Sequence, residues 1–386
     1  MKLFKSLLIA PATLGLLAPM TATANELNIN EVSNYSSSQE VENISEFNQK
    51  DLAITNSRVD GLEARLNNFE AGSFSETTTA SFSADMYLGS LDDDDSTADD
   101  ALMGGYSFQI DLNTSFTGED SLDIAIDAGT NGAEGFAELD GNTNGDNLKV
   151  DGVSYTFPLG DKATVIAGVA TDGSALFTTA CAYGGPGAML DDCANVNAGI
   201  TGGGTTIGAS YDFGTGFTGA FGAQTSQDST GVFTDESSDA YALNAAYSAD
   251  SYGVSLTYSV VENAGLTDEN TFTAVNAYYV PDSTGLPSIS VGYEVGDLGG
   301  AAATADEQTS FFIGLSWDEV GPGSAGVALG HSNTVENVDE AYQYEAYYSY
   351  PINDSMSVTP LIFTKDNVTS GKDDTTGVMV KTSFSF

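Results

Sequence analysis

From Thr77 to Phe386 the chain repeats one pattern sixteen times: a segment of about ten residues in which apolar and polar side chains alternate, followed by a turn or loop. A period of two is the mark of a β-strand with two unlike faces. The clearest segment sets Tyr106, Phe108, Ile110, Leu112 and Phe116 against Ser107, Gln109, Asp111, Asn113 and Ser115. The pattern predicts strands at 77–88, 105–116, 121–129, 147–157, 162–170, 204–213, 216–225 and 239–248. It predicts eight more at 251–261, 270–280, 287–296, 308–318, 323–332, 340–350, 355–364 and 375–386. In the fourth, Lys149, Asp151 and Val153 do not alternate cleanly, as at a β-bulge. About ten residues is the length a tilted strand needs to cross a bilayer. Soluble sandwiches alternate in the same way, so the period alone does not separate core from lipid.

The connections separate them. Thr117–Asp120, Gly214–Thr215, Ala249–Asp250 and Pro351–Asp354 are tight, whereas Leu91–Asp100, Thr130–Asp146 and Thr171–Gly203 are long, acidic or glycine-rich. Short turns on one side and long loops on the other, with an even strand count, predict an all-β, 16-stranded antiparallel transmembrane β-barrel over 73–386. Phe116, Phe213, Phe217, Tyr247, Tyr252, Trp317 and Tyr350 lie beside the short turns, where an interfacial aromatic girdle belongs. Val378, Val380, Phe384 and Phe386 share one face at the end of the chain, and Phe386 reads as a barrel-assembly signal.

The N-terminal residues read differently. Lys2 and Lys5 precede an apolar run, Leu7–Leu17, and Ala22-Thr23-Ala24 suits a signal peptidase, which predicts a signal peptide at 1–24. That run is too short to span a membrane, and no other stretch approaches 18 apolar residues. Residues 25–49, rich in Ser, Asn and Glu, predict a flexible linker. Over 50–72, Leu52, Thr55, Val59, Leu62, Leu66 and Phe69 recur at three and four, as in a coiled coil, although Gly61 costs about 1 kcal/mol. A lone amphipathic helix lying on the barrel is the other reading of this segment. Export also places Cys181 and Cys193 where a disulfide forms.

Five sequence stretches carry a resemblance: MKLFKSLLIAPATLGLLAP, ELNINEVSNYSSSQEVENISEFNQ, RVDGLEARLNNFEA, FSETTTASFSADMYLG and VKTSFSF. They resemble cyanobacterial outer-membrane porins, in particular the marine picocyanobacterial branch described as iron-uptake or carbohydrate-selective-type porins. The resemblance runs the whole length. It implies a homotrimer in the outer membrane that passes inorganic ions and small solutes, with iron as a cargo. One departure is that ISEFNQKDLAIT runs straight into the helix where the family carries a surface-layer-homology domain, so peptidoglycan binding is not carried over.

A barrel this wide leaves an aqueous lumen. Removing the signal peptide leaves 55 acidic against 8 basic side chains, and from Thr77 onward there are 45 acidic residues, five Lys and no Arg. Nucleic acid is excluded as a partner, because phosphate neutralisation needs clustered Lys and Arg. Alternation sends Ser83, Asp85, Gln109, Asp111, Asp123, Asp127, Asp212, Glu294, Gln343 and Glu345 inward. Carboxylate rings favour cations, which predicts a cation-biased pore with Asp85, Asp111, Asp123, Asp127, Asp212, Glu294 and Glu345 lining it. The competing reading is that many acids only solvate loops. Thr171–Gly203, the longest loop, reads either as a constriction folded into the lumen, carrying Asp172, Asp191 and Asp192, or as a surface hairpin. A Cys181–Cys193 ring in it is worth about 3 kcal/mol in the chain-entropy model.

No cofactor and no dedicated metal site is predicted. The run Asp92–Asp95 with Asp99 and Asp100 lacks EF-hand spacing and reads as a hydrated loop before it reads as a calcium site. His331 is the only histidine, too few for a zinc or iron cluster, and no G-x-S-x-G segment accompanies it, so no enzyme is expected. Gly202–Gly204 and Gly104-Gly105 follow no strand-to-helix context and read as loop ends. A carbohydrate-selective channel would need an aromatic slide, for which Tyr87, Tyr347 and Phe363 look too scattered. A non-conducting structural protein of the outer membrane is the remaining alternative.

Overall fold

A computed structural model of the chain describes residues 77–92, 101–130, 142, 145–187, 190–227, 230–234, 236–262, 269–283, 285–299, 306–369 and 371–386. The expected signal peptide, linker and coiled coil, and most of the acid run after Asp92, lie outside the described residues. Sixteen strands follow one another: β1 (Thr78–Asp92), β2 (Met103–Thr114), β3 (Ser121–Gly129), β4 (Lys149–Leu159), β5 (Ala163–Thr171), β6 (Gly204–Gly214), β7 (Phe217–Ser226) and β8 (Asp239–Ser248). The second eight are β9 (Tyr252–Val261), β10 (Asn270–Tyr279), β11 (Ser288–Asp297), β12 (Glu307–Val320), β13 (Gly323–Val335), β14 (Gln343–Asn353), β15 (Met356–Lys365) and β16 (Thr375–Ser385). Each pairs antiparallel with its sequence neighbours, and β1 pairs with β16 to close the barrel. Among the described residues there is no helix. Closure leaves no open strand edge.

The seam is sealed at its end by Phe386. Phe82 N donates to Phe386 O at 2.9 Å, Phe386 N donates to Phe82 O at 3.0 Å, and the two rings stack 5.7 Å apart. Connections after even-numbered strands run from two to eight residues and those after odd-numbered strands from seven to thirty-two. The two ranges overlap at β9–β10, β10–β11 and β13–β14. Asp120 organises one tight turn: Oδ1 accepts from Ser115 Oγ, Phe116 N, Thr117 N and Thr117 Oγ1, and Oδ2 accepts from Tyr155 OH at 2.6 Å. At the β6–β7 turn Gly216 has φ +86° and a Cβ there would stand 2.2 Å from Ser248 O, so only glycine fits. The irregularity expected in the fourth strand is a register shift: Gly152 pairs with Ala125 but Val150 with Ile126, which leaves Asp151 as the extra residue.

The outer surface inverts the rule for soluble proteins. Large apolar side chains on the outward parity are exposed, among them Leu88, Ile207, Phe221, Leu243, Leu256, Val275 and Ile362. Aromatic residues bracket this band: Tyr247 and Tyr241, Tyr252 and Tyr258, and Tyr350 and Tyr344 each stand six residues apart on one outward face. Six residues span about 20 Å along a strand. Near the short turns the aromatics touch one another, Phe217–Tyr247 at 4.6 Å and Tyr247–Tyr252 at 5.8 Å.

Candidate functional site

A sixteen-stranded wall is too wide to be filled by its own side chains, so an inward residue stays wet unless something lies on it. On β7 to β14 something does. Ser255, Thr257, Ser259, Asn276, Ser290 and Ser310 point inward and are buried. The cover is the segment 172–203, folded flat against the inside of eight strands. On its outward run Thr178 N donates to Asn244 Oδ1 (3.0 Å), Ala180 N to Ser255 Oγ (2.9 Å) and Ala182 N to Ser290 Oγ (2.8 Å). Tyr183 OH then donates to Glu345 on β14. On the return run Asn276 Nδ2 donates to Cys193 O at 2.6 Å, and Gly173 N donates to Gln224 Oε1 at 2.8 Å beside the base. The Cys181–Cys193 disulfide ties the two runs together.

Small residues allow this close approach. A Cβ on Gly292 would fall 1.8 Å from Cys193 O, and one on Gly222 would fall 1.9 Å from Gly173 O. Serine and asparagine on the wall supply the loop backbone with the partners that a buried main chain requires.

Two carboxylates clamp the loop. Glu294, 1% exposed, accepts from Asn197 N (2.8 Å), Ala198 N (2.8 Å) and Asn197 Nδ2 (2.7 Å). Glu345, 4% exposed, accepts from Tyr183 OH, and Gly185 and Gly187 pack against its carboxylate. Alternation sends both inward, as expected, but they lie beneath the loop and away from pore water. A buried charge is tolerated when hydrogen bonds satisfy it, and here they come from loop donors. No Lys or Arg occurs from 163 to 364.

The other half of the wall is uncovered and acidic. Asp111 accepts from Gln109 Nε2 at 2.7 Å, and Asp123 accepts from Asn113 Nδ2 (2.6 Å) and Ser121 Oγ (2.7 Å). Asp127 stands opposite Gln109 on β2 and opposite Lys149 on β4, where its neighbours bury it, so it does not line the open space as expected. A cavity of about 720 Å³ lies between this wall and the base of the loop, lined among others by Asp111, Asp123, Lys149, Asp151 and Asp172. Asp85 is partly neutralised, 3.4 Å from Lys381 Nζ, across a sequence distance at which alternation says nothing about pairing. Asp212 sits exposed at the short-turn mouth, where its Oδ1 accepts from Gly214 N. Asp191 is exposed and Asp192 half-buried on the returning run.

Asp172 closes the loop base by accepting from Gly203 N at 3.0 Å. Burial raises its carboxyl above the ordinary aspartate value against that opposing bond, and the nearby Asp151 adds to the rise. The folded state therefore holds this proton longer than the unfolded chain, and the stability of the loop base falls as pH rises from the ordinary aspartate value through the raised one. If the lumen conducts with a cation preference, that preference is expected to begin declining, as pH falls from neutral, before the ordinary aspartate range is reached, and to begin lower in Asp172→Asn. Reversal potentials recorded at stepped pH check this.

The inward aromatics are gathered, not scattered. Tyr87, Leu91, Leu361, Phe363 and Met379 form one buried cluster, and Tyr183, Leu190 and Phe312 belong to a second, with Tyr347 packed against both. Tyr87 is 3% and Phe363 2% exposed, so their faces anchor packing and do not meet solutes. His331 lies at the long-loop end of β13, with Nδ1 2.9 Å from Thr334 Oγ1 and its ring edge-on to Tyr342.

No protein-family model matches the chain, and no curated protein matches it significantly. Among solved structures the barrel is similar to OprB of Pseudomonas putida, with a TM-score of 0.55 at 13% identity, covering 80% of this chain and 94% of that one. It is also similar to a mutant of the Rh. blastica porin, with a TM-score of 0.53 at 14% identity, covering 80% and 100%. A loop-deletion mutant of OmpT, an outer membrane protein of Vibrio cholerae, gives 0.57 at 11% identity, covering 80% and 99%. At these identities the likeness is one of fold.

Proposed function

We propose that the protein is an outer-membrane porin: a water-filled channel that passes small hydrophilic solutes by diffusion and favours inorganic cations. The observation that carries the reading is the loop 172–203, which covers one half of the inner wall and leaves the half bearing Asp111, Asp123 and Asp151 open. A structural protein would have no use for a narrowed wet passage beside carboxylates. The outward apolar band between two levels of aromatics supports a bilayer position, and the fold shared with bacterial outer-membrane porins supports the same location. The sequence resemblance adds a picocyanobacterial source, a homotrimer and iron among the cargoes. In this reading passage is passive, and the side chains act only by charge and size.

Burial of Tyr87 and Phe363 weighs against a carbohydrate slide, which needs open aromatic faces. Planar-bilayer recording under a KCl gradient tests the proposal. A reversal potential of cationic sign is expected; chloride-dominated current or a silent bilayer would overturn it.

A further inference from the structure

The tip of the loop 172–203 lies over β14 near the long-loop end of the barrel. Gln343 and Glu345, two residues apart on that strand, turn inward and are buried beneath it. Gly187 packs against both side chains: a Cβ added to it would fall 2.0 Å from Glu345 Oε2 and 3.7 Å from Gln343 Nε2. One added to Gly185 would fall 2.1 Å from Glu345 Oε1. Only residues without a Cβ let the loop main chain come this close to a carboxylate.

Gln343 sets this place apart from the rest of the covered wall. Asn244, Ser255, Asn276 and Ser290 each bond the loop backbone. Gln343 is 0% exposed, and neither its Oε1 nor its Nε2 has a hydrogen-bond partner. Lys365, its cross-strand partner on β15, does not bond the amide either. A fully buried amide with both ends unbonded is strongly disfavoured unless a ligand meets it.

Charge decides between the two simplest ligands. A water molecule would bond the amide and bring no charge to the buried carboxylate beside it. A cation meets the carboxylate and Gln343 Oε1 together, since a half-turn of the amide interchanges its oxygen and nitrogen. Tyr183 OH donates to Glu345 Oε1, but a phenol supplies a hydrogen bond and no positive charge. No Lys or Arg occurs from 163 to 364. One carboxylate in a closed site balances one positive charge, which favours a monovalent ion over a divalent one. The tight approach of Gly185 and Gly187 favours a small one.

We propose that Gln343 and Glu345 bind a sodium ion, and that this ion fastens the tip of the loop to β14. Amide and carboxylate oxygens suit such a hard cation. The inference goes beyond the channel reading and holds whether or not the lumen conducts.

The test is hydrogen exchange over residues 183–187, read by mass spectrometry on the full chain in detergent micelles, in NaCl or in choline chloride at equal ionic strength. A bound ion must leave before the tip lifts, so sodium at about ten times its Kd is expected to slow exchange about elevenfold. Choline, too large for the site, is expected not to slow it. Gln343→Leu is expected to lose the sodium effect, and Gln343→Glu, which adds a second carboxylate, to respond to calcium more than to sodium. Equal exchange of the wild type in the two salts would overturn the proposal and leave a hydrated amide only. A sodium effect undiminished in Gln343→Leu would overturn it as well. The wild-type comparison of the two salts stands even if a variant folds poorly.

Discussion

Asp111→Asn/Asp123→Asn/Asp151→Asn is expected to remove most of the channel's cation preference while leaving the barrel folded. These three acids stand on β2, β3 and β4 of the uncovered wall and line the same cavity. A carboxylate about 7 Å from a passing ion is worth roughly 0.6 kcal/mol in water. Three acting together shift local cation concentration about fourfold once salt screening is allowed for. Complete cation selectivity would give about 59 mV for a tenfold salt gradient. The variant's reversal potential should therefore collapse toward zero, and raising the salt should mimic the same loss in the wild type. Asparagine keeps an acceptor for Gln109, Asn113 and Ser121, so the unfolding temperature should hardly move. Asp85 is a poorer choice, since its neutralisation would release the charge of Lys381.

The second large effect concerns the loop. Glu294→Ala strands two backbone donors beneath the loop, Asn197 N and Ala198 N, while Asn197 Nδ2 keeps Asn333 Oδ1 at 2.7 Å. Leaving such donors unpaired costs on the order of 3 kcal/mol in total even if water reaches some of them. At 1.4 kcal/mol per tenfold, the detached loop becomes about a hundred times more populated. Single-channel current should rise and fluctuate, and a protease added from the long-loop side should cut within 190–203. Glu294→Gln, which keeps one acceptor oxygen, should fall between. An unchanged current in Glu294→Ala would mean the loop is held by its other wall contacts alone.

Strands were legible because a wall with one apolar and one polar face writes its period into every segment, and all sixteen expected strands are present within a few residues of their bounds. The length of the loop 172–203 and its cysteines marked it out, but not its course. That course depends on serines, asparagines and glycines spread over β7 to β14, such as Ser255, Asn276 and Gly292, each unremarkable in its own strand. The same blindness misplaced Glu294 and Glu345. Period-two reasoning assigns a residue to the inside of the barrel but cannot separate an inside surface that is wet from one that is covered. A signal was present in Gly185-Pro186-Gly187, whose two glycines give a carboxylate room to approach the backbone. The ion pair of Asp85 with Lys381 and the gathering of Tyr87, Tyr347 and Phe363 follow from closure of β1 on β16, a contact between the two ends of the barrel sequence.

Thiol accessibility in a conducting bilayer tests the central claim most directly, by placing one cysteine on each parity of the wall. Asp123→Cys and Leu256→Cys should both form channels, and a small cationic methanethiosulfonate added in solution should reduce current and cation preference in the first and change nothing in the second. Block at position 256 with none at 123 would contradict the account, because water would then bathe the face assigned here to lipid.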